Sequence, residues 1–196
     1  MSRYDRRTAL VVVDLQNDFA DPTGGLSVAG GDGILSRVND EIRAATDAGA
    51  LVVATQDWHP ESTPHFAKDG GVWPVHCVAG TWGAELVPGL ALPADAHRIR
   101  KGANGEDGYS GFTMRDPRSG AEVPTPLEPL LRDRGIERLV VCGLATDYCV
   151  KATAIDGVRL GFVVSLVSDA VAAVDLDAGD GVRAVEEMRG HGVIIE

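Results

Sequence analysis

A six-residue run near the start, Thr8–Val13 (TALVVV), is rich in β-branched residues and shows no alternation of polar and apolar positions. A strand with one wet face alternates. One that does not is buried on both faces, as in a parallel sheet covered by helices. Comparable runs recur at 51–55 (LVVAT), 139–142 (LVVC) and 162–167 (FVVSLV). Helical segments separate them. Ile34, Leu35, Val38, Ile42 and Ala45 recur at helical spacing and Gly49 is placed to stop that helix. The sequence predicts further helices over 126–134, closed by Gly135, over 146–160 despite Gly157, and over 177–189, with a last short strand at 193–195. A further strand is placed around Ile99, although His97-Arg98-Ile99-Arg100 is polar for a buried segment. Strands alternating with helices give an α/β class, a three-layer α/β/α sandwich around a mostly parallel, Rossmann-like sheet of about six strands. No repeat or linker divides the chain, so a single domain over residues 1–196 is expected.

Ionisable residues gather at the ends of these strands. Asp14 follows the first, Asp57 and His59 the second, Lys101 ends the polar one, and Cys149 lies just past 139–142. Ligands of open α/β sheets bind outside the carboxyl ends of the strands, so four parts of the chain supply chemistry to one edge. Thr146 can cap the helix that follows, which would put Cys149 at its third position. The helix charge there, and a nearby lysine, would lower a thiol pKa from about 8.5. On this argument alone a thiolate nucleophile and a buried small hydrophobe are equally good readings of Cys149. Cys142, inside an apolar strand, reads as core. Cys77 is set aside as a metal ligand, because sequence neighbours such as His76 and Cys77 seldom face one ion.

The stretch 57–93 is rich in glycine and proline, lacks periodicity, and holds His59, His65, His76 and all three tryptophans. So long an irregular stretch inside a compact domain is functional or disordered. Asp57 and His59 stand two residues apart, so in extended backbone both point the same way. With His65 and His76 they form a nitrogen and oxygen set suited to one divalent metal, zinc first, with iron or manganese also accepted. His97 and His191 have no such company and read as surface residues. The glycines at 24–25 and 30–31 lack the G-x-G-x-x-G spacing, and no phosphate-binding loop is present.

The formal net charge of −11 disfavours nucleic acid and anionic membranes as partners and leaves a small molecule as the easier ligand. Residues 1–7 carry no apolar signal core, and no run approaches the length that spans a bilayer. Three cysteines without a disulfide framework point to a reducing, cytoplasmic location. Monomer and homo-oligomer both stay open.

Several motifs resemble the nicotinamidase branch of the isochorismatase-like cysteine hydrolases, over nearly the whole chain. They are Val13-Asp14-Leu15-Gln16-Asn17-Asp18-Phe19, Gln56-Asp57-Trp58-His59-Pro60, Trp73-Pro74-Val75-His76-Cys77-Val78, Lys101-Gly102 with Tyr109-Ser110-Gly111-Phe112, and Gly143-Leu144-Ala145-Thr146-Asp147-Tyr148-Cys149-Val150. The resemblance implies the isochorismatase-like fold and hydrolysis of nicotinamide to nicotinate and ammonia through a cysteine thioester, a step of NAD salvage. Within it Cys149 would be the nucleophile, Asp14 the acid and base, and Lys101 their stabiliser. Backbone N–H groups of Ala145 and Cys149 would form the oxyanion hole, with the Leu144–Ala145 peptide cis. Asp57, His59, His76 and, less securely, His65 would hold a substrate-anchoring metal, and Phe19, Trp73 and Tyr109 would flank the ring. Residues 103–108 depart from the family pattern, which bears on the mouth of the site. Two rivals remain: a metal-containing amidase for another small amide, and a non-catalytic binding module whose Cys149 is unreactive.

Overall fold

A computed structural model describes residues 3–196. In chain order it contains β1 (Thr8–Val13), α1 (Asn17–Ala20), α2 (Leu35–Asp47), β2 (Leu51–Asp57), β3 (His97–Lys101), β4 (Thr113–Arg115), β5 (Glu122–Pro124) and α3 (Leu127–Asp133). There follow β6 (Arg138–Leu144), a π-helical turn (Thr146–Val150) running into α4 (Lys151–Arg159), β7 (Val163–Ala172), α5 (Asp180–Gly190) and β8 (Ile194–Ile195). Six strands make one sheet in the order β3-β2-β1-β6-β7-β8, every neighbouring pair parallel. β4 and β5 form a separate antiparallel hairpin that local patterning does not signal.

Alternation along β1 sorts its side chains to two cores. Leu10 and Val12 pack with Val38, Ile42 and Ala45 of α2 on one face. Ala9, Val11 and Val13 face Leu127 and Leu131 of α3, Ala154 and Ile155 of α4, and Met188 of α5. The three layers expected from the sequence are present. The polar strand β3 is an edge: only Ile99 and Lys101 are buried, while Arg98 and Arg100 face solvent. An edge position explains a sequence unlike that of its buried neighbours.

Helices α2 to α5 end in one way. The N–H groups of Gly49, Gly135, Gly161 and Gly192 bond three residues back, and those of Ala50, Ile136, Phe162 and Val193 five residues back. This double bond pattern needs a left-handed residue just past the helix, and all four glycines have positive φ. The next residue is apolar and opens the path into the following strand.

From β1 the chain steps outward to β2 and β3, and from β6 it steps the other way to β7 and β8. Loops leaving β1 and β6 therefore diverge and open a crevice between them, the switch point where doubly wound sheets bind ligands.

Candidate active site and metal centre

Asp14 comes directly off β1 with φ +43 and is fully buried. Thr55 of β2 donates its hydroxyl to Asp14 Oδ1 at 2.5 Å, and Lys101, at the end of β3, donates to Oδ2 at 2.7 Å. Lys101 Nζ also donates to the Tyr109 carbonyl at 3.2 Å and to Cys149 Sγ at 3.5 Å, and stands 2.9 Å from Asp57 Oδ1. Burial alone would depress the Lys101 ammonium, but the Asp14 and Asp57 carboxylates reverse this and hold it well above its ordinary value. Burial raises Asp14 above the usual carboxylate range, against the pull of Lys101. Asp57 stays low, because the Lys101 charge and the neighbouring histidines override its burial. Three residues far apart in sequence thus meet around one buried cation.

Cys149 differs in two respects from the sequence expectation. Its turn starts from Ala145, not Thr146, and no side chain caps it. Tyr148 and Val150 both donate to the Ala145 carbonyl, and the Leu144–Ala145 peptide is cis, as the resemblance implied. The thiol is also pushed well above its ordinary pKa, by burial first and then by Asp14 and Asp57, with Lys101 opposing. Desolvation outweighs the helix-end effect. Burial thus favours the neutral form of the Cys149 thiol, and a carboxylate oxygen of Asp14 lies within 4.8 Å of its sulfur.

One nitrogen from each of His59, His65 and His76 lies within 4.8 Å of the others, and all three rings are buried. Asp57 Oδ2 is 3.7 Å from His59 Nε2 and 3.9 Å from His76 Nε2. His76 Nδ1 pairs with the Pro74 carbonyl and His65 Nδ1 with Asp107, each at 2.7 Å. Such partners are those that orient metal-bound imidazoles. Both nitrogens of His59 are buried without a hydrogen-bond partner. An orphaned buried imidazole is costly unless an ion satisfies it. Burial, joined by His59 and His65, lowers His76 to about 4 despite Asp57, so it is neutral and able to ligate. The donor set fits a divalent metal. Cys77 is buried outside this group, its N–H on Asp18 at 2.6 Å. Cys142 is core, His191 is exposed, and His97 is half-buried on the edge strand.

A cavity joins the two centres. Asp57, His65 and His76 line one part of it and Ala145 and Cys149 another, while Phe19, Trp73 and Tyr109 supply aromatic wall. Trp73 Nε1 donates to the Tyr109 hydroxyl at 3.0 Å. A larger groove along α4 and the β4–β5 hairpin contains none of these residues except Tyr109; the candidate residues gather at the smaller cavity. Sequence reasoning missed Tyr148, Leu26 and Val174 in the wall, Thr55 on Asp14, and Asp107 on His65. It also gave no role to Gln16, which clamps the Asp57 backbone by donating to its carbonyl at 2.7 Å and accepting from its N–H at 2.8 Å. These partners sit some forty residues away, and local pattern carries no sign of them.

The isochorismatase domain model matches residues 8–195. The chain is 38% identical to the nicotinamidase of Escherichia coli (strain K12), covering 95% of this chain and 93% of that protein. It is 41% identical to the nicotinamidase/pyrazinamidase of Mycobacterium tuberculosis (strain ATCC 25618 / H37Rv), over 92% of this chain and 94% of the other. The crystal structure of the pyrazinamidase of Pyrococcus horikoshii in complex with zinc superposes with a TM-score of 0.86 at 44% identity, covering 97% of this chain and 98% of that one. With a matching fold, a cysteine, lysine and aspartate at the switch point, and this similarity along its length, the chain belongs to the isochorismatase domain family.

Proposed function

We propose that the protein is a single-domain nicotinamidase that converts nicotinamide to nicotinate and ammonia in NAD salvage, in the cytoplasm. One observation carries this reading: Cys149, backed by Asp14 and Lys101, and Asp57, His65 and His76 of the donor set line one aromatic-walled cavity. The first cluster suits acyl transfer from an amide, and the second suits a ring nitrogen held at a fixed distance from that amide. The names of the E. coli and M. tuberculosis relatives support the substrate class.

Cys149 Sγ attacks the carboxamide carbon as Asp14 takes the thiol proton, and the developing oxyanion is received by the N–H groups of Ala145 and Cys149. Asp14 returns the proton to the nitrogen, the C–N bond breaks, and ammonia leaves behind a thioester. Asp14 then takes a proton from water, whose oxygen attacks the thioester, and Cys149 recovers its proton as nicotinate departs. A carboxyl raised by burial suits both directions of transfer. Lys101 keeps Asp14 aimed through a 2.7 Å bond and balances the negative charge that forms beside it. Phe19, Trp73 and Tyr109 hold the ring and exclude water. When bound by Asp57, His59, His65 and His76, the metal supplies a Lewis-acid anchor for the pyridine ring; zinc suits this set and is present in the archaeal relative, with iron or manganese as alternatives.

The test is ammonia release from nicotinamide, with Cys149→Ala as control. Expected is turnover by the native protein and a loss of at least about 10³-fold in the variant. Comparable activity in the variant would remove Cys149 from the mechanism. No rate on nicotinamide, beside a good rate on another amide, would move the substrate and keep the chemistry.

A further inference from the structure

One buried carboxylate in the nucleophile turn has no place in the reaction above. Asp147 is 7% exposed and stands two residues before Cys149. Its Oδ1 accepts the Val174 N–H at 3.0 Å and its Oδ2 accepts the Asp175 N–H at 2.9 Å. Both acceptors reach across to the strap, residues 173–179, that joins β7 to α5. Asp175 holds a left-handed φ of +52 and accepts the Gly181 N–H at 2.7 Å, in the first turn of α5. Gly181 permits the fit, since an added Cβ would lie 2.5 Å from the Ala173 Cβ. The strap is therefore tied to the nucleophile turn at Val174 and Asp175, and to α5 through the Asp175 side chain. Val174 projects into the wall of the cavity that holds Cys149, while Leu176 two residues on is 66% exposed.

We propose that Asp147 is a specificity-positioning residue: its carboxylate anchors the 173–179 strap so that Val174 limits the size of ring the cavity admits. Two successive backbone N–H groups need two acceptors, which a carboxylate supplies. An amide supplies one, and sets its own N–H₂ against the second donor. Asp147 touches no reacting atom and acts through Val174. The proposal rests on the amide-hydrolase reading, and its test separates the two.

Asp147→Asn and Val174→Ala are compared with the native protein on nicotinamide and on 5-methylnicotinamide. Asp147→Asn is expected to raise KM for nicotinamide about tenfold, the loss of one charge-assisted bond, and to leave kcat nearly unchanged. Both variants should raise the rate on the methylated ring relative to the plain one. Alkylation of Cys149 by iodoacetamide and by a bulkier N-aryl iodoacetamide probes the same wall without amide turnover; the bulky-to-small rate ratio should rise in both variants. A fall in kcat at unchanged KM in Asp147→Asn would show action on the nucleophile and overturn the proposal. An unchanged alkylation ratio in both variants would overturn it too. Native protein inactive on nicotinamide sinks the substrate reading and leaves the alkylation arm to decide on the strap.

Discussion

Lys101 is a lysine with 1% of its surface exposed between two carboxylates, a placement tolerable only because its charge is matched on both sides. Its candidacy as a site residue could be read from its place at the end of a strand; its depth could not. Cys149 shows the reverse. Its reactivity was argued from the start of a helix, yet burial pushes the thiol up, so the proposed attack needs Asp14 as its base. Glu41, on α2, is a third case, and one that periodicity would misplace, since it is polar and buried on a core-facing helix. Arg3 and Arg37 reach its carboxylate at 2.7 and 2.6 Å, and the Tyr4 hydroxyl also donates to it. Burial would raise Glu41, but these hydrogen bonds bring it below 4.5. A depressed carboxyl stabilises the fold fully above its unfolded value, and the contribution disappears as pH falls through the folded value. Glu41→Gln should therefore cost about 2 kcal/mol at pH 7, and the gap should close in acid below about pH 4.5. Denaturant melts at several pH values check this; a gap constant with pH would show that packing, not charge, is lost.

At the level of elements, helix ends were legible and helix starts were not. Gly49 and Gly135 mark their stops because a left-handed residue is needed there whatever surrounds it. In none of α2 to α5 does the N-cap residue itself bond through its side chain, although Thr125 accepts the Leu127 N–H at α3 and Asp175 the Gly181 N–H at α5; the Thr146 signal pointed to a cap that does not form. The β4–β5 hairpin was missed because strands of three residues are too short to show alternation. Where β3 ends, Gly102 has φ +77, and an added Cβ would lie 2.6 Å from His59 Nδ1. Gly102→Ala should displace the His59 ring and lower bound metal per chain markedly, at a backbone cost of about 1–2 kcal/mol. Metal analysis after dialysis, with circular dichroism as the control for folding, tests it. Full metal content in a folded variant would mean that His59 has room to move.

For the molecule as a whole, the sheet order makes the site. Divergence of the chain between β1 and β6 opens the crevice, and β2 and β3 bring Asp57 and Lys101 to the same edge. The two centres touch through Asp57, 2.9 Å from Lys101, but the three histidines lie outside the Cys149 cluster, which predicts separable losses. Chelation should abolish efficient nicotinamide turnover mainly through substrate capture, with iodoacetamide still modifying Cys149 at a similar rate; mass spectrometry of the treated protein reads both. Loss of thiol reactivity together with the metal would give the ion a direct part in the chemistry. Among the described residues no helix is long and apolar enough to cross a membrane. By itself the sequence determined the strands of the main sheet, the helix stops and the three layers, because these follow from local periodicity and glycine geometry, and through family resemblance its motifs named the candidate reacting and ligating side chains. Only the tertiary structure decided the rest: the burial that pushes up Cys149 and Asp14, the orphaned His59, the Gln16 clamp and the Asp147 tether. Each depends on burial and on partners distant in sequence, and the electrostatics of a buried group are set by everything packed around it.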